Sequence, residues 1–251
     1  MKNFLLEHTD YLTNCMITYI KKTKLVFYKE YQYFRLYGYS TKKNSNYSLC
    51  GKRIERLYTD LLKDFGVQVK YLNIVMIDCP NMRKFIDHPH YINGGFTYLH
   101  KNIIFVYRND EMLKVVLHEV IHHAFYFKDT DIYLGDPIRS TVDINLNEAI
   151  VEFLATLYQI KYTNSNIKNE LKHSLKNVKY VLGMPNTTFN TNIYSYIVIK
   201  HLLLKKHKLI LYLIQKKQYD KIYQYIYNTK INIKPIKPIK QKLIFVSVSY
   251  L

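Results

Sequence analysis

Apolar side chains recur at helical spacing over most of this chain. The repeat is clearest over residues 54–65, at i, i+3, i+4, i+7, i+8 and i+11, and Gly66 suits the left-handed residue that often ends a helix. A second helix is predicted after Asp110, which can cap its N-terminus, and a third over residues 147–162. The same spacing predicts further helices in the C-terminal part, over residues 167–182 and 194–228.

Strand-like patterns are fewer and shorter. Residues 67–77 begin with alternation and end in a β-branched run, while residues 94–98 and 103–107 indicate two short strands joined by a tight turn. The first forty residues mix helical spacing with an aromatic cluster, which predicts a helix followed by a strand or another helix. The Val/Ser alternation over residues 243–251 predicts a terminal strand.

The order of these elements predicts an α+β fold. A small mixed sheet would pack on the helix after Asp110, and a mainly helical C-terminal lobe would follow. The predicted division has four parts. They are an N-terminal segment (1–66), a core carrying the chemistry (67–162), a helical lobe (163–230) and a Pro/Lys linker with a terminal strand (231–251).

Composition is typical of a globular protein, but the charge is uneven. The 251 residues are 48% hydrophobic and 22% charged, which is enough to bury a sizeable core. Of the formal net charge of +18, residues 161–251 carry +15, from 17 Lys and 2 acidic residues. Lys, Asn, Ile and Tyr all have A/T-rich codons, so a base-composition bias can account for much of the lysine excess. The charge is therefore discounted as evidence for nucleic-acid binding.

The cysteines and the N-terminus favour a reducing compartment. Three scattered cysteines, Cys15, Cys50 and Cys79, form neither a disulfide framework nor a paired zinc motif. Glu7 and Asp10 interrupt the first apolar stretch before it reaches signal-peptide length. No run approaches the roughly 18 apolar residues of a membrane span, so no membrane partner is expected. We expect an intracellular protein, or a virion-associated one if the source is a virus.

The segment His118-Glu119-Val120-Ile121-His122 matches the pattern HExxH. On a helix, histidines at i and i+4 point from one face and can share one Zn²⁺, while Glu119 reaches a metal-bound water. A chain of this composition would contain the pattern by chance only about once in a hundred cases. The pattern therefore predicts a zinc site. The alternative is a buried helix whose histidines are held by hydrogen bonds.

A catalytic zinc site needs a third protein ligand, because the fourth position is left to water. Glu148, 26 residues beyond His122, is the best candidate, and its alternative role is that of a carboxylate favoured at a helix N-terminus. His122 is not followed by the GxxH continuation of metzincins, and His123 lies off the ligand face, where a structural role is expected. Other candidate third ligands are Asp129, Asp131, Asp136 and Asp143.

HEVIH followed by NEAIVE resembles the gluzincin metallopeptidases, the thermolysin and M1-aminopeptidase group. In that group HExxH is followed on a second helix by NExxxE or NExxxD, so the resemblance implies a zincin-like fold. The resemblance implies that His118, His122 and Glu148 bind one Zn²⁺ per chain and that Glu119 is the general base. It also implies that Glu152, one turn after Glu148, accepts a hydrogen bond from the first histidine.

The resemblance extends more weakly to two other regions. Gluzincins place an edge strand of the sheet along the cleft, and residues 94–98 stand at that place, so Gly95 and Phe96 would contact substrate. A simple hairpin explains these glycines equally well. Gluzincins also supply a Tyr or His that stabilises the oxyanion, and Tyr194 resembles the aminopeptidase tyrosine, with Tyr196 and His201 as the alternatives.

Together these features predict a zinc metallopeptidase that hydrolyses a peptide or protein substrate. An endopeptidase is preferred, because the chain lacks a GxMEN-type exopeptidase motif. One alternative is a basic nucleic-acid-binding protein, supported by Lys interleaved with Tyr over residues 216–227 but weakened by the absence of Arg after Arg139. Another is an inactive zincin-like scaffold, against which the intact Glu119 argues.

Overall fold

The structure is a computed structural model. It describes residues 2–7, 12–42, 46–80, 92–109, 111–125, 133–134, 144–183 and 192–236. Three sets of sequence predictions lie outside these residues. They are the N-cap at Asp110, the alternative ligands Asp129, Asp131, Asp136 and Asp143, and the terminal strand 243–251.

A five-stranded mixed sheet forms one layer, in the order β1-β2-β3-β5-β4. The strands are β1 (Lys24–Glu30), β2 (Phe34–Ser40), β3 (Leu72–Ile77), β4 (Gly95–Tyr98) and β5 (Ile103–Val106). The three central strands β2, β3 and β5 run parallel, and β1 and β4 pair antiparallel at the two edges. Two further strands, β6 (Tyr133–Leu134) and β7 (Ile144–Asn145), pair with each other.

Helices cover both faces of the sheet and make up the described C-terminal part. They are α1 (Lys2–Leu6), α2 (Asn14–Lys22), α3 (Tyr47–Phe65), α4 (Met112–Ala124), α5 (Leu146–Thr163), α6 (Ile167–Leu182), α7 (Lys200–Lys205), α8 (His207–Gln215) and α9 (Tyr219–Asn228). A π-helical turn, Ser195–Ile199, leads directly into α7. Within the described ranges, no helix combines the length and apolar character that a membrane span needs.

The buried residues on the two faces of the sheet form two separate clusters. Along β5, Ile104 and Val106 belong to the main cluster, whereas Phe105 and Tyr107 belong to a smaller one with α1 and α2. Alternate residues of a strand point to opposite faces, so this division follows from the pleat. The main cluster is continuous from the sheet through α3, α4 and α5 to α9. The central strands are apolar on both faces because both faces are covered.

The sequence pattern and the structure agree on most elements. The predicted mixed sheet and helical C-terminal part are confirmed, as is the helix that ends at Gly66, which has a φ of +68°. The strand predicted from residue 67 begins only at Leu72, where its pairing with β2 starts, because residues 67–71 connect α3 to the sheet. The long helix predicted over residues 194–228 is divided, with interruptions at Lys206 and at Lys217, whose φ is +54°.

Candidate metal centre

Helix α4 carries the HExxH segment through the interior of the molecule. It packs against β4, β5 and α5, and every residue from Met112 to Ile121 is buried. His118 and Glu119 are each only 7% exposed. Such burial disfavours an uncompensated charge, so the groups facing these two residues decide what the site can hold.

Three potential ligand atoms converge between α4 and α5. His118 Nε2 and His122 Nε2 are 3.0 Å apart, and Glu148 Oε2 lies 3.4 Å from the first nitrogen and 3.3 Å from the second. Zinc bonds of about 2.0–2.1 Å at tetrahedral angles separate ligand atoms by about 3.3 Å. Glu148 Oε2 is buried and faces these two imidazole nitrogens. The cluster therefore matches the size and donor set of a tetrahedral zinc site.

The N-terminus of α5 leaves the Glu148 carboxylate free to face the histidines. Asn145 caps this helix, and its Oδ1 accepts a hydrogen bond of 3.0 Å from the backbone N–H of Glu148. In a capping box, the Glu148 carboxylate would in turn accept from the N–H of Asn145. That N–H instead donates to Ser195 Oγ at 3.1 Å. Glu148 is thus directed toward the histidines rather than toward the helix end.

Glu152, one turn further along α5, lies behind His118. Its Oε2 accepts a hydrogen bond of 3.0 Å from His118 Nδ1, and Glu152 is fully buried. With the proton on Nδ1, the lone pair of His118 is on Nε2, the atom that faces His122 and Glu148. This is the contact that the gluzincin resemblance implies for Glu152.

The site has an excess of negative charge. The carboxylates of the buried Glu119 and Glu152 and of the partly buried Glu148 accompany one buried ammonium, that of Lys114. Burial alone would raise the pKa of Glu152, but Lys114 and His118 outweigh it and lower that pKa to about 2. Burial would lower the pKa of His118, yet its hydrogen bonds to Glu148 and Glu152 raise it to about 9. Without a metal, this raised pKa keeps His118 protonated. A metal ion would displace that proton, and with both histidines neutral as ligands the four charged groups sum to −2, which a divalent cation would balance.

A small cavity adjoins the cluster. It has room for about 30 Å³, enough for a water molecule. Burial raises the pKa of Glu119, which lies in its wall, so this carboxylate is suited to accept a proton. The wall is formed by Ile92, Asn93, Gly94, Gly95, Lys114, Val115, His118, Glu119, Glu152 and Tyr196.

The structure places Tyr196, rather than Tyr194, in the wall of this cavity. The Tyr196 ring lies edge-on to His118, with 5.7 Å between the ring centroids. Burial and the nearby Glu148 carboxylate hold the pKa of Tyr196 well above its ordinary value, so its hydroxyl keeps its proton. Tyr194, 2% exposed, lies in the main core, and neither it nor His201 belongs to the cavity wall. Residues two apart on a helix point in nearly opposite directions, so only one of the two tyrosines can face the site.

Gly95 and Phe96 of β4 occupy different positions relative to the site. A Cβ atom on Gly95 would lie 2.6 Å from the Phe105 carbonyl oxygen and 2.8 Å from Val115 Cγ1, so glycine lets β4 pack closely on α4. The Phe96 ring faces the other side of the sheet, 5.3 Å from that of Phe105. The prediction that Phe96 contacts substrate is therefore limited to its main chain, because the pleat turns its side chain away.

Several groups near the site were missed in the sequence. Lys114 lies one turn before His118 on the same helical face, and its spacing could have revealed it. Ser195 and Arg108 act over long sequence separations, and no local pattern identifies them. Arg108 is buried, and its Nε donates to the Asn93 carbonyl at 2.8 Å, which fixes the chain entering β4. His123 has the structural role expected of it, because its Nε2 forms a hydrogen bond with Thr97 of β4.

Comparisons with known proteins give no assignment for this chain. A search against protein-family models finds no match, and a search of curated protein sequences finds none either. The function is therefore argued from the geometry of His118, His122 and Glu148 and from the groups that surround them.

Proposed function

We propose that this chain is a zinc-dependent metallopeptidase of the gluzincin type with a zincin-like fold. The observation that carries the proposal is the convergence of His118 Nε2, His122 Nε2 and Glu148 Oε2 within 3.4 Å of one another beside the buried Glu119. Two histidines and a glutamate, with a fourth position left to water, are the ligand set of several catalytic zinc sites.

The donor set favours zinc over calcium and magnesium. Calcium takes six to eight oxygen ligands and magnesium prefers octahedral oxygen coordination, whereas zinc accepts two imidazole nitrogens and one carboxylate. The −2 charge of the surrounding groups also matches one divalent ion. We therefore propose one Zn²⁺ per chain, which His118, His122 and Glu148 would hold beside the cavity that Glu119 lines.

Each residue of the site has a distinct role in the proposed peptide hydrolysis. A bound zinc ion supplies a water of lowered pKa, about 7, and polarises a carbonyl group. Glu119 accepts the proton of the attacking water and passes it to the leaving amine. The Tyr196 hydroxyl donates a hydrogen bond to the carbonyl oxygen as negative charge develops there. Glu152 holds His118 in the orientation and tautomer that ligation requires.

The edge of the sheet provides a place for an extended substrate. β4 is the last strand in the order of the described sheet, and its residues Gly94 and Gly95 form part of the cavity wall. A peptide can pair with the outer edge of β4 through main-chain hydrogen bonds, which orients its scissile bond toward Glu119. Such binding does not depend on a chain terminus, so we prefer an endopeptidase.

The test is hydrolysis of a peptide library by the zinc-loaded protein and by Glu119→Gln. Loss of a positioned general base typically slows a reaction by about 10²- to 10⁴-fold, and we expect a loss of this size with zinc content unchanged. Glu55→Gln, on α3 and outside the site, is the matched control and should cleave like the parent protein. Equal rates in Glu119→Gln and the parent protein would contradict the proposal.

A further inference from the structure

Lys114 is a buried lysine in the wall of the cavity. It lies one turn before His118 on α4, is 2% exposed, and faces the same side of the helix as that histidine. Lysine is among the residues that are least often fully buried, because its ammonium loses its hydration. The proposed hydrolysis mechanism gives Lys114 no role, so its burial at this position needs another explanation.

Lys114 shares a single acceptor atom with His118. Its Nζ lies 2.5 Å from Glu152 Oε2, the same oxygen that accepts the hydrogen bond of 3.0 Å from His118 Nδ1. Oε1 of Glu152 has no hydrogen-bond partner among the described residues. The orientation of this carboxylate is therefore held through one oxygen, by two donors that are four residues apart on α4.

A general contribution to stability is a poor explanation for this arrangement. Buried ion pairs contribute little net stability, because desolvation offsets most of their attraction. The structure contains a second such pair, Lys200 with Glu170, whose Nζ and Oε1 are 3.5 Å apart and whose side chains are both 1% exposed. The charge of Lys200 also lowers the pKa of Glu152, so this pair is not independent of the site. The ion pair of Lys161 with Asp60, with 2.8 Å between Nζ and Oδ2, lies near the C-terminal end of α5 and outside the cavity wall, so it provides the comparison for Lys114.

We infer that Lys114 is a positioning residue of the metal centre. It fixes the Glu152 carboxylate, and through it the His118 ring, so that Nε2 faces His122 and Glu148. The inference rests on the proposed metal site. The direction in which zinc affinity changes when Lys114 is replaced distinguishes a positioning role from a purely electrostatic one. Removing a positive charge beside a cation site would by itself strengthen cation binding. A loss of orientation weakens binding instead.

The experiment measures zinc dissociation constants by competition with a chromophoric chelator. We expect Lys114→Met to bind zinc about 10- to 100-fold more weakly, the usual loss when a partner behind a ligand is removed. Lys114→Gln, whose amide can still donate to Glu152, should recover much of this loss without the charge. Lys161→Met, which breaks the comparison pair with Asp60, should bind zinc like the parent protein.

Unchanged or tighter zinc binding in Lys114→Met would overturn the inference. If Lys114→Met does not fold, Lys114→Gln decides, and binding in that variant as weak as in Glu152→Gln would also contradict it. In the background of Glu152→Gln, adding Lys114→Met should cause no further loss. If the parent protein itself binds no zinc, the proposed function fails as a whole. Binding by the parent with no difference among the Lys114 variants overturns this inference alone.

Discussion

The Glu148 carboxylate faces the two histidines, and we attribute this direction to the hydroxyl group of Ser195, 47 residues later in the sequence. Glu148 stands at the third position of α5, where a glutamate commonly bonds to the N–H of the capping residue. Ser195 Oγ accepts the hydrogen bond from the N–H of Asn145, so the Glu148 carboxylate can face the histidines instead. The π-helical turn that carries Ser195 also brings Tyr196 to the cavity, so this short turn arranges two sides of the site.

Removal of the Ser195 hydroxyl should redirect Glu148. In Ser195→Ala the N–H of Asn145 loses its acceptor and competes for the carboxylate, so we expect about tenfold weaker zinc binding by chelator competition. Ser195→Thr keeps an Oγ atom and should restore affinity. Ser174→Ala removes another buried hydroxyl, on α6, and is the control. Equal zinc affinity in Ser195→Ala and the parent protein would show that the direction of Glu148 does not depend on the hydrogen bond between Asn145 and Ser195.

Individual site residues were predictable to different degrees. His118, Glu119 and His122 follow from helical spacing, and Glu148 and Glu152 follow from a second motif whose own helix is strongly periodic. The choice between the two tyrosines was not predictable, because it depends on the π-helical turn rather than on composition. Lys114 was overlooked because a lysine is normally assigned to the surface.

At the scale of elements, the site depends on the close contact of α4 with β4. The absence of a side chain at Gly95 lets the strand approach Val115 and the Phe105 carbonyl. The contact of His123 with Thr97 adds a second connection between the same two elements. The strand proposed to receive substrate and the helix proposed to hold zinc are thus fixed directly to each other.

A methyl group at Gly95 should therefore weaken the fold. Gly95→Ala places its Cβ against the Phe105 carbonyl and Val115, and overpacking of this kind typically costs about 1–3 kcal/mol. Urea unfolding of the parent protein and Gly95→Ala measures the difference. Val115→Ala should cost less stability in the Gly95→Ala background than in the parent, because it relieves one of the two close contacts. Strict additivity of the two changes would contradict the packing described.

The elements themselves were predictable where periodicity is long and unbroken. α5 and α6 agree closely with the pattern, because their buried faces repeat at 3.6 residues over four or more turns. α3 ends where the pattern predicts but begins at Tyr47, seven residues before the predicted repeat. The division of the segment after residue 194 into several helices was not predictable, because apolar spacing continues across the interruptions at Lys206 and Lys217. The start of β3 depends on its pairing with β2, and a single strand carries no record of its register.

At the scale of the whole molecule, three distant parts of the chain meet at one point. α4 supplies the histidines and Glu119, α5 supplies Glu148 and Glu152, and the turn before α7 supplies Tyr196, all within one continuous core. The composition indicated a globular protein with such a core, but only the tertiary structure shows that the three parts converge. Among the described lysines after residue 160, Lys200 acts on the site by lowering the pKa of Glu152. The basic charge of residues 161–251 remains the basis of the nucleic-acid alternative.

The most direct test of the account is the zinc content of the purified protein, measured by elemental mass spectrometry beside His122→Ala. Purification without chelator should give close to one zinc per chain in the parent protein, and the variant, which lacks one of three ligands, should have lost it. Equal and negligible zinc in both would contradict the account, reduce the convergence of His118, His122 and Glu148 to a hydrogen-bonded cluster, and favour the basic C-terminal region as the functional one.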